Sequence, residues 1–251
     1  MVERTALLAL CDGLLKPEQF KDYCPNGLQV EGRPRIQTIA SGVTASLAFI
    51  QTAIDAGADT LLVHHGLFWR NQTGSVTGWL KQRLALLLAH DINLLAYHLP
   101  LDAHASLGNN AQLANHVGFR VDGTFGEQGL GFIGQPQIPI ENAAALTQLL
   151  HSRLGKTPVS VVPDPHRPLR RIAWCTGGAQ NLFEEAIAQG IDAFITGEIS
   201  EPQAHLARET GVGFYACGHH ATERYGAPAL GAYLADQLGL THTFIDIDNP
   251  A

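Results

Sequence analysis

The chain has 251 residues, of which 45% are hydrophobic, and a formal net charge of -7 with histidine taken as neutral. This length accommodates one large domain or two small ones, and the apolar fraction suits a soluble globule with a sizeable core. No basic stretch stands out, which argues against a nucleic-acid groove as the main function. No apolar run approaches about 18 residues, so no membrane partner is predicted.

The four cysteines of the chain are widely scattered and form no C-x-x-C motif. In a chain of this length, such usage is typical of a reducing compartment and not of a disulfide framework. The apolar helical face of residues 5–15 is too short to span a membrane, and no signal-peptide pattern precedes it. We therefore expect a cytoplasmic protein.

The first part of the chain alternates apolar, strand-like runs with amphipathic segments. Helices are predicted at residues 2–15, 45–56, 79–90 and 109–117. Strands are predicted at residues 36–43, 59–63 and 93–97, and a turn-rich loop at residues 22–32. Strands that alternate with helices of this length predict an α/β layer with parallel strands.

The middle of the chain has a different pattern. Residues 119–139 are glycine-rich and alternate apolar with polar side chains, which predicts antiparallel strands. A helix at 141–154 and a strand at 159–162 follow, before a proline-marked break. We predict a first α/β half at residues 1–125, a connecting β/α segment at 126–165 and a second α/β half at 166–251.

The second half repeats the order of the first. The segment that begins at Ile39 aligns without a gap with the segment that begins at Ile172, and each contains a Gly-x-Asp before the next strand. In this alignment His219 and Glu223 correspond to the earlier His98 and Asp102. The pattern favours a weak internal repeat of a β-α-β-α-β unit. The alternative is that any two β-α-β segments look alike at this level.

Three polar clusters follow predicted strands. The first is the doublet His64-His65, the second is the pair His98 and Asp102, and the third is the pair His219 and Glu223. In the last two, the histidine and the carboxylate are four residues apart, so on a helix they share one face. Functional groups of open parallel sheets gather beyond the carboxyl ends of the strands.

Histidines and carboxylates in these numbers suffice for two divalent metal ions, since one carboxylate can bridge both. Imidazole and carboxylate ligands suit Zn, Mn, Fe or Co better than Ca. Because His64 and His65 are adjacent on a strand, they are expected to point to opposite sides, so that one serves each ion. Two such ions activate water for hydrolysis.

Each cluster also has a purely structural interpretation. The doublet can end a strand, His98 can be a hydrogen-bonded core histidine, and Asp102 can cap a helix. Glu223 next to Arg224 can form a surface ion pair. The joint occurrence at three strand ends favours the metal site. We expect His104 and His220 to lie behind the direct ligands or to face solvent, and Cys217 to fill its strand. Glu198 occupies the position in the repeat that corresponds to the His64-His65 doublet, and we expect it to line the same cleft.

The motifs together resemble one known family. Pro25-Asn26-Gly27-Leu28-Gln29-Val30, Val63-His64-His65-Gly66, His98-Leu99-Pro100-Leu101-Asp102 and Gly218-His219-His220-Ala221-Thr222-Glu223 are similar in sequence and order to the NIF-three-like family, also called GTP cyclohydrolase I type 2 homologues. The resemblance covers nearly the whole chain. It implies two linked α/β domains, a dinuclear metal site in the cleft between them, and a toroidal homohexamer built as a trimer of dimers.

The resemblance also implies roles for individual residues. The ligand pattern of the family falls on His64, His65, Asp102, His219 and Glu223, with Glu223 as the bridge between two divalent ions. His98 matches a position near the metals and is the candidate for proton transfer or substrate contact. Leu-Pro-Leu stands between His98 and Asp102, where many relatives have a more polar run.

The leading functional hypothesis is a metal-dependent hydrolase that acts on a nucleotide. The name of the family implies attack of water on the purine C8, opening of the imidazole ring and release of formate. A phosphoester hydrolase would use the same centre. In an acidic chain either activity needs local positive charge, for which Arg70, Lys81 and Arg224 are candidates. The other class is a non-catalytic, ring-shaped metal-binding adaptor.

Overall fold

The structure is a computed structural model that describes residues 1–251. Its helices are α1 (Arg4–Leu15), α2 (Leu47–Asp55), α3 (Gly78–Ala89), α4 (Leu99–Ala103), α5 (Asn109–Val117), α6 (Ala143–Leu154), α7 (Phe183–Ala188), α8 (Glu201–Thr210), α9 (His219–Glu223) and α10 (Gly226–Leu238). Its strands are β1 (Val2–Glu3), β2 (Gly27–Val30), β3 (Arg35–Ile36), β4 (Thr38–Thr44), β5 (Thr60–His65), β6 (Asn93–Ala96), β7 (Phe119–Phe125), β8 (Gly131–Pro136), β9 (Val159–Val161), β10 (Ile172–Trp174), β11 (Ala193–Thr196), β12 (Gly213–Ala216) and β13 (Thr241–Phe244). The protein is therefore α/β, as predicted.

The chain divides into two compact units. The first consists of Met1–Gly108 and Gly226–Asp248, and the second of Asn109–Tyr225 and Asn249–Ala251. This division differs from the predicted boundaries at residues 125 and 165. Residues 109–165 join the second unit because β7, β8 and β9 pair within its sheet, and the chain then returns to the first unit with α10 and β13. Sequence pattern identifies such elements but not the sheet that they join.

The first unit is built on a five-stranded sheet in the order β13-β4-β5-β6-β2. Strands β13, β4, β5 and β6 are parallel, and β2 is antiparallel to β6 at the edge. Side chains alternate between the faces of a strand. Accordingly, Leu61 and Val63 pack in one hydrophobic cluster with α2 and α3, while Leu62 packs in a second cluster with α1 and α10.

The second unit is built on a six-stranded sheet in the order β7-β8-β10-β11-β12-β9. Its three central strands, β10, β11 and β12, are parallel, and the flanking strands are antiparallel. Trp174 and Tyr215 pack with α5 and α6 on one face, and Phe194 and Phe214 pack with α7 and α8 on the other. In both units, parallel strands buried on both faces end beside polar residues.

The predicted elements are largely confirmed, with one clear error. Residues 22–32 were expected to be a turn-rich loop, but residues 27–30 form β2 and pair with β6 across a register shift. The strand is short, begins at a glycine and contains Gln29, so its sequence lacks the apolar run by which buried strands are predicted. Pairing with β6 is a tertiary effect that local periodicity does not report.

An aspartate holds the start of the parallel strands in each unit. Asp59 accepts the backbone N–H groups of Gln37 and Thr38 at 2.7 and 3.1 Å. Asp192 likewise accepts the N–H groups of Arg170 and Arg171 at 2.8 and 2.9 Å. These are the aspartates of the two Gly-x-Asp signals. Hydrogen bonds from backbone donors to a carboxylate are strong, so each aspartate stabilises the entry into its sheet.

The registers of the two sheets bear on the predicted repeat. Ile39 pairs with Thr60, and Ile172 pairs with Ala193, so both strand pairs have the same offset. The later part of the alignment is off by one residue. Both α4 and α9 follow a non-helical residue, which is His98 in one unit and Gly218 in the other. His98 therefore corresponds to Gly218 and not to His219. Descent of the halves from one duplicated unit stays a prediction.

Replacing Asp59 with alanine is expected to lower the free energy of unfolding by about 2–4 kcal/mol, because two backbone donors lose a charged acceptor. Asp59 is buried, at 6% exposure. Chemical denaturation of the full chain measures the effect. The control is Asp55→Ala, since Asp55 is exposed and accepts only the side chain of Gln51. Equal stabilities of the two variants would contradict this role of Asp59.

None of the helices combines the length and the apolar character that crossing a membrane requires.

Candidate metal centre

His64 is positioned at the end of β5 in the first unit and is completely buried. Its Nδ1 lies 3.0 Å from the backbone carbonyl oxygen of Tyr97. A carbonyl oxygen can only accept, so Nδ1 carries a proton and Nε2 is the nitrogen that would bind a metal ion. That Nε2 lies 3.5 Å from Oδ1 of Asp102. A histidine that donates one N–H to a carbonyl and turns its other nitrogen toward a carboxylate is typical of a metal ligand.

His65 ends the same strand beside His64. The two ring centroids are 4.5 Å apart, so the rings lie together although neighbouring strand residues were expected to point apart. Nδ1 of His65 lies 3.1 Å from the hydroxyl oxygen of Thr44 on β4. The next residue, Gly66, lies against the Gln29 side chain, whose Oε1 would be 2.2 Å from a β-carbon at position 66. This approach explains the glycine after the doublet.

His98 lies between β6 and α4. Its backbone N–H donates to Oδ1 of Asn26 at 2.7 Å, and its Nδ1 lies 2.7 Å from Oδ1 of Asp22. The other oxygen of Asp22 accepts from the Leu99 backbone at 3.0 Å and from the Asn26 amide at 2.8 Å. The carboxylate therefore fixes the orientation of the His98 ring, with Nε2 as the nitrogen left to react.

The electrostatics of the Asp22–His98 pair favour an ionised carboxylate. Burial alone would raise the pKa of Asp22, but the hydrogen bond and the charge of His98 outweigh it. With further hydrogen bonds from Asn26 and Leu99, these interactions lower the pKa of Asp22 to about 2. An ionised Asp22 can only accept hydrogen bonds, so it keeps the proton of His98 on Nδ1.

Three imidazoles thus come together in the first unit. Potential ligand atoms of His64, His65 and His98 all lie within 4.8 Å of one another. The ring centroids of His98 are 4.9 Å from His64 and 5.8 Å from His65. With Asp102, this group supplies imidazole nitrogen and carboxylate oxygen, the ligand types that zinc and related transition metals prefer.

Asp102 lies within α4 and is buried at 7% exposure. It does not cap a helix, since its carboxylate faces His64 and the residue before α4 is His98. The apolar residues between His98 and Asp102 are buried, and Leu101 belongs to the hydrophobic core of the first unit. The Leu-Pro-Leu segment therefore contributes to the packing of the first unit.

The second unit holds the third predicted pair. His219 begins α9, and its Nε2 lies 3.2 Å from Oε2 of Glu223 one turn later. Its Nδ1 lies 2.6 Å from Oε1 of Glu198, which follows β11. Glu223 is buried at 3% exposure, which does not fit a surface ion pair with its neighbour. His219 therefore has the same arrangement as His64, with Nδ1 held by an acceptor and Nε2 beside a carboxylate.

The two carboxylates make the surroundings of His219 strongly negative. Burial alone would lower the pKa of His219, but Glu223 and Glu198 outweigh it and raise the pKa to about 9. Carboxylates that favour a proton on an imidazole also favour a metal cation beside it. This pair is therefore a suitable place for a positive ion.

Gly177 lies directly against this pair. A β-carbon there would lie 2.0 Å from Oε1 of Glu223 and 3.1 Å from Nε2 of His219. The backbone of Gly177 has φ +69°, its N–H donates to the hydroxyl of Thr222, and its carbonyl accepts from Gly197. Only glycine combines this backbone with so close an approach. The Thr222 hydroxyl therefore helps to hold Gly177 against the pair.

Three residues that were not predicted as direct metal ligands make local contacts within the fold. Nδ1 of His104 accepts the backbone N–H groups of Ser106 and Leu107, which shapes the turn after α4. Cys217 directly follows β12 and is a fully buried thiol in the hydrophobic core of the second unit. The backbone N–H of His220 donates to the carbonyl of Ala251 at 3.2 Å.

Four residues around the predicted site were missed or underrated by the sequence analysis: Asp22 and Asn26 beside His98, Gln29 beside Gly66, and Glu198 beside His219. The first three belong to the segment that was expected to be a plain loop, although Asn26 and Gln29 stood within a motif of the family resemblance. That motif was the available signal for them. Asp22 carried none, since a single aspartate in a loop is ordinary.

Comparison with known proteins identifies the family. A sequence model of the family Duf34/NIF3 (NGG1p interacting factor 3) matches residues 2–250. The chain belongs to the Duf34/NIF3 family. The resemblance found in the sequence motifs is thereby confirmed.

Curated relatives of this Duf34/NIF3 chain carry a common name. A protein of Neisseria meningitidis serogroup A is 52% identical over 251 residues and is covered completely, as is this chain. A protein of Escherichia coli strain K12 is 46% identical over 250 residues, again with complete coverage of both chains. Both are named GTP cyclohydrolase 1 type 2 homolog.

Solved structures share the whole fold of this Duf34/NIF3 chain. The protein ybgI, described as of unknown function, has a TM-score of 0.95 at 46% identity, with complete coverage of both chains. TTHA1606 from Thermus thermophilus has a TM-score of 0.89 at 32% identity, also with complete coverage. The whole chain therefore has the fold of these two solved structures.

Proposed function

We propose that this chain is a hydrolase that depends on two divalent metal ions and acts on a nucleotide. The ligands would be His64, His65, Asp102, His219 and Glu223, and Glu223 would be the ligand shared by both ions. The observation that carries the proposal is the arrangement of His64. Its Nδ1 is held by a carbonyl, and its Nε2 lies 3.5 Å from Asp102 in the buried end of a sheet.

The donor atoms fit a transition metal. Bonds of about 2.0–2.1 Å in a tetrahedral site place neighbouring ligand atoms roughly 3.3 Å apart. The corresponding distances are 3.5 Å for His64 with Asp102 and 3.2 Å for His219 with Glu223. These values support a shared cation for each pair. The ligand types suit Zn, Mn, Fe or Co.

Bound divalent ions would lower the pKa of water and stabilise negative charge on the attacked atom. His98 then serves as the group that transfers a proton. Asp22 keeps the His98 proton on Nδ1, so Nε2 can accept a proton from water or donate one to a leaving group. Since Asp22 holds the ring by a bond of 2.7 Å, His98 is oriented before substrate arrives.

The nucleotide as substrate, and ring opening with release of formate as the reaction, are supported by the names of the relatives. We further propose a homohexamer built as a trimer of dimers, as the resemblance to this family implies, and a cytoplasmic location, which the scattered cysteines favour. Formate and phosphate measured in parallel during incubation with GTP distinguish ring opening from phosphoester hydrolysis. If metal-loaded protein forms neither formate nor phosphate, a metal-binding adaptor remains as the function.

Replacing Glu223 with alanine is expected to remove most of the bound metal, because a bridging carboxylate holds both ions. Elemental analysis of purified protein should give about two ions per chain for the wild type. Light scattering on the same preparations gives the mass of the assembly. The control is Glu201→Ala, which removes an exposed carboxylate that also pairs with a histidine one turn away, His205. Equal metal content in both variants would contradict the proposal.

A further inference from the structure

Two aromatic side chains lie beside His98 in the first unit, and an arginine lies against one of them. Trp69 follows β5, and its ring centroid lies 5.1 Å from that of His98 in an edge-on arrangement and 5.8 Å from that of His65. The ring of Tyr23 lies 6.4 Å from His98. With Arg70 these residues, Tyr23, Trp69 and Arg70, form what we call the aromatic platform.

Arg70 is held in place by the segment that carries Tyr23. Its backbone N–H donates to the carbonyl of Tyr23 at 2.6 Å, and its Nη2 donates to the carbonyl of Asp22 at 2.8 Å. The guanidinium carbon lies 5.5 Å from the centroid of the Tyr23 ring. The guanidinium thus donates to one backbone carbonyl and lies near an aromatic face, so it is fixed in position without an ion pair to a carboxylate.

One aromatic ring of the platform is largely exposed. Tyr23 is 58% exposed, and Arg70 is also exposed, although large aromatic groups gain most by burial. An aromatic face accepts a planar ring by stacking, and an arginine binds phosphate through its fork of N–H donors. In a chain with a net charge of -7, a fixed guanidinium beside the Tyr23 ring is a local exception to the overall charge.

We propose that the aromatic platform binds a planar aromatic ring that carries an anionic group, with the ring against Trp69 or Tyr23 and the anion on Arg70. This ligand class includes nucleotides. The inference rests on the proposed function for its biological meaning, because it places the ring of the substrate next to His98. It assigns the recognition of the substrate to residues that are not metal ligands.

The test is calorimetric binding of guanosine monophosphate, guanosine and ribose 5-phosphate to the purified full chain. Removal of one stacking contact in Trp69→Leu should weaken binding of guanosine monophosphate about tenfold. Arg70→Gln should weaken binding of guanosine monophosphate by a similar factor and leave the affinity for guanosine unchanged. Tyr23→Leu tests the second ring in the same way. Unfolding temperatures equal to that of the wild type show that the variants are folded.

The chain offers a matched control in the same unit. Trp79 is 53% exposed, and the guanidinium of Arg83 lies 4.8 Å from its ring centroid, but its ring makes no contact with the histidines. Trp79→Leu and Arg83→Gln should leave binding of every probe unchanged. Loss of affinity in these variants equal to that in Trp69→Leu would overturn the inference. So would ribose 5-phosphate binding as tightly as the monophosphate, or no binding of the monophosphate to the wild type.

Metal content measured in the same preparations separates this inference from the proposed function. If every protein retains its metal and Trp69→Leu binds like the wild type, the platform is not the binding surface and the metal centre stands. If the wild type binds guanosine monophosphate through Trp69 but contains no metal, the platform stands and the proposed hydrolase fails.

Discussion

Replacing Gly177 with alanine is expected to displace the carboxylate of Glu223 and to lower the free energy of unfolding by about 2–4 kcal/mol. Two effects add. The backbone at position 177 has φ +69°, which side chains disfavour, and the added methyl group would lie 2.0 Å from Oε1 of Glu223. Because Glu223 and Gly177 are both buried, neither can move into solvent to relieve the contact.

The control for this variant separates the two effects. Gly190 lies in the same unit with φ +70°, and nothing lies within 4 Å of a β-carbon there. Gly190→Ala therefore has the backbone cost alone, about 1 kcal/mol, and should leave the metal content unchanged. Denaturation and elemental analysis of both variants give the comparison. The expectation is contradicted if Gly177→Ala keeps its full metal content and is as stable as Gly190→Ala. Glu223 would then adjust freely to the added methyl group.

Replacing His98 with glutamine is expected to lower kcat for the proposed hydrolysis by about 10²–10⁴-fold, the usual contribution of a general acid or base. The bound metal should remain, because His98 is not among the proposed ligands. Steady-state kinetics and elemental analysis on one preparation measure both quantities. His205→Gln is the control, since His205 pairs with Glu201 at 2.7 Å on an exposed helix face. A loss of metal in His98→Gln would make His98 a ligand instead.

Asp22 gives a second test of the same role. Both of its oxygens accept hydrogen bonds, Oδ1 from His98 and Oδ2 from Asn26 and Leu99. The amide of Asp22→Asn must turn an NH₂ group toward one of these donors, so the proton on Nδ1 of His98 loses its charged acceptor. Proton NMR should show loss of the imidazole N–H signal of His98, which is independent of any turnover. Retention of that signal would show that Asp22 does not orient the ring.

The local pattern of residues determined most of the elements and the candidate ligands. Apolar runs predicted β5 and β6, and His64, His65 and His98 lie at or just beyond the ends of these strands. The spacing of His219 and Glu223 predicted one helical face, and α9 brings their side chains to 3.2 Å. Such features follow from the geometry of a single strand or helix, which depends on neighbours in the chain.

Tertiary structure alone decided how distant parts combine. Asp22 and His98 are 76 residues apart and meet because the segment around β2 pairs along β6. The close approach of Gly177 to Glu223 depends on the neighbouring ends of β10, β11 and β12. The segment with α10 and β13 belongs to the first unit because β13 pairs with β4. Each result depends on hydrogen bonds between strands that are remote in sequence, and no local periodicity encodes which strands will pair.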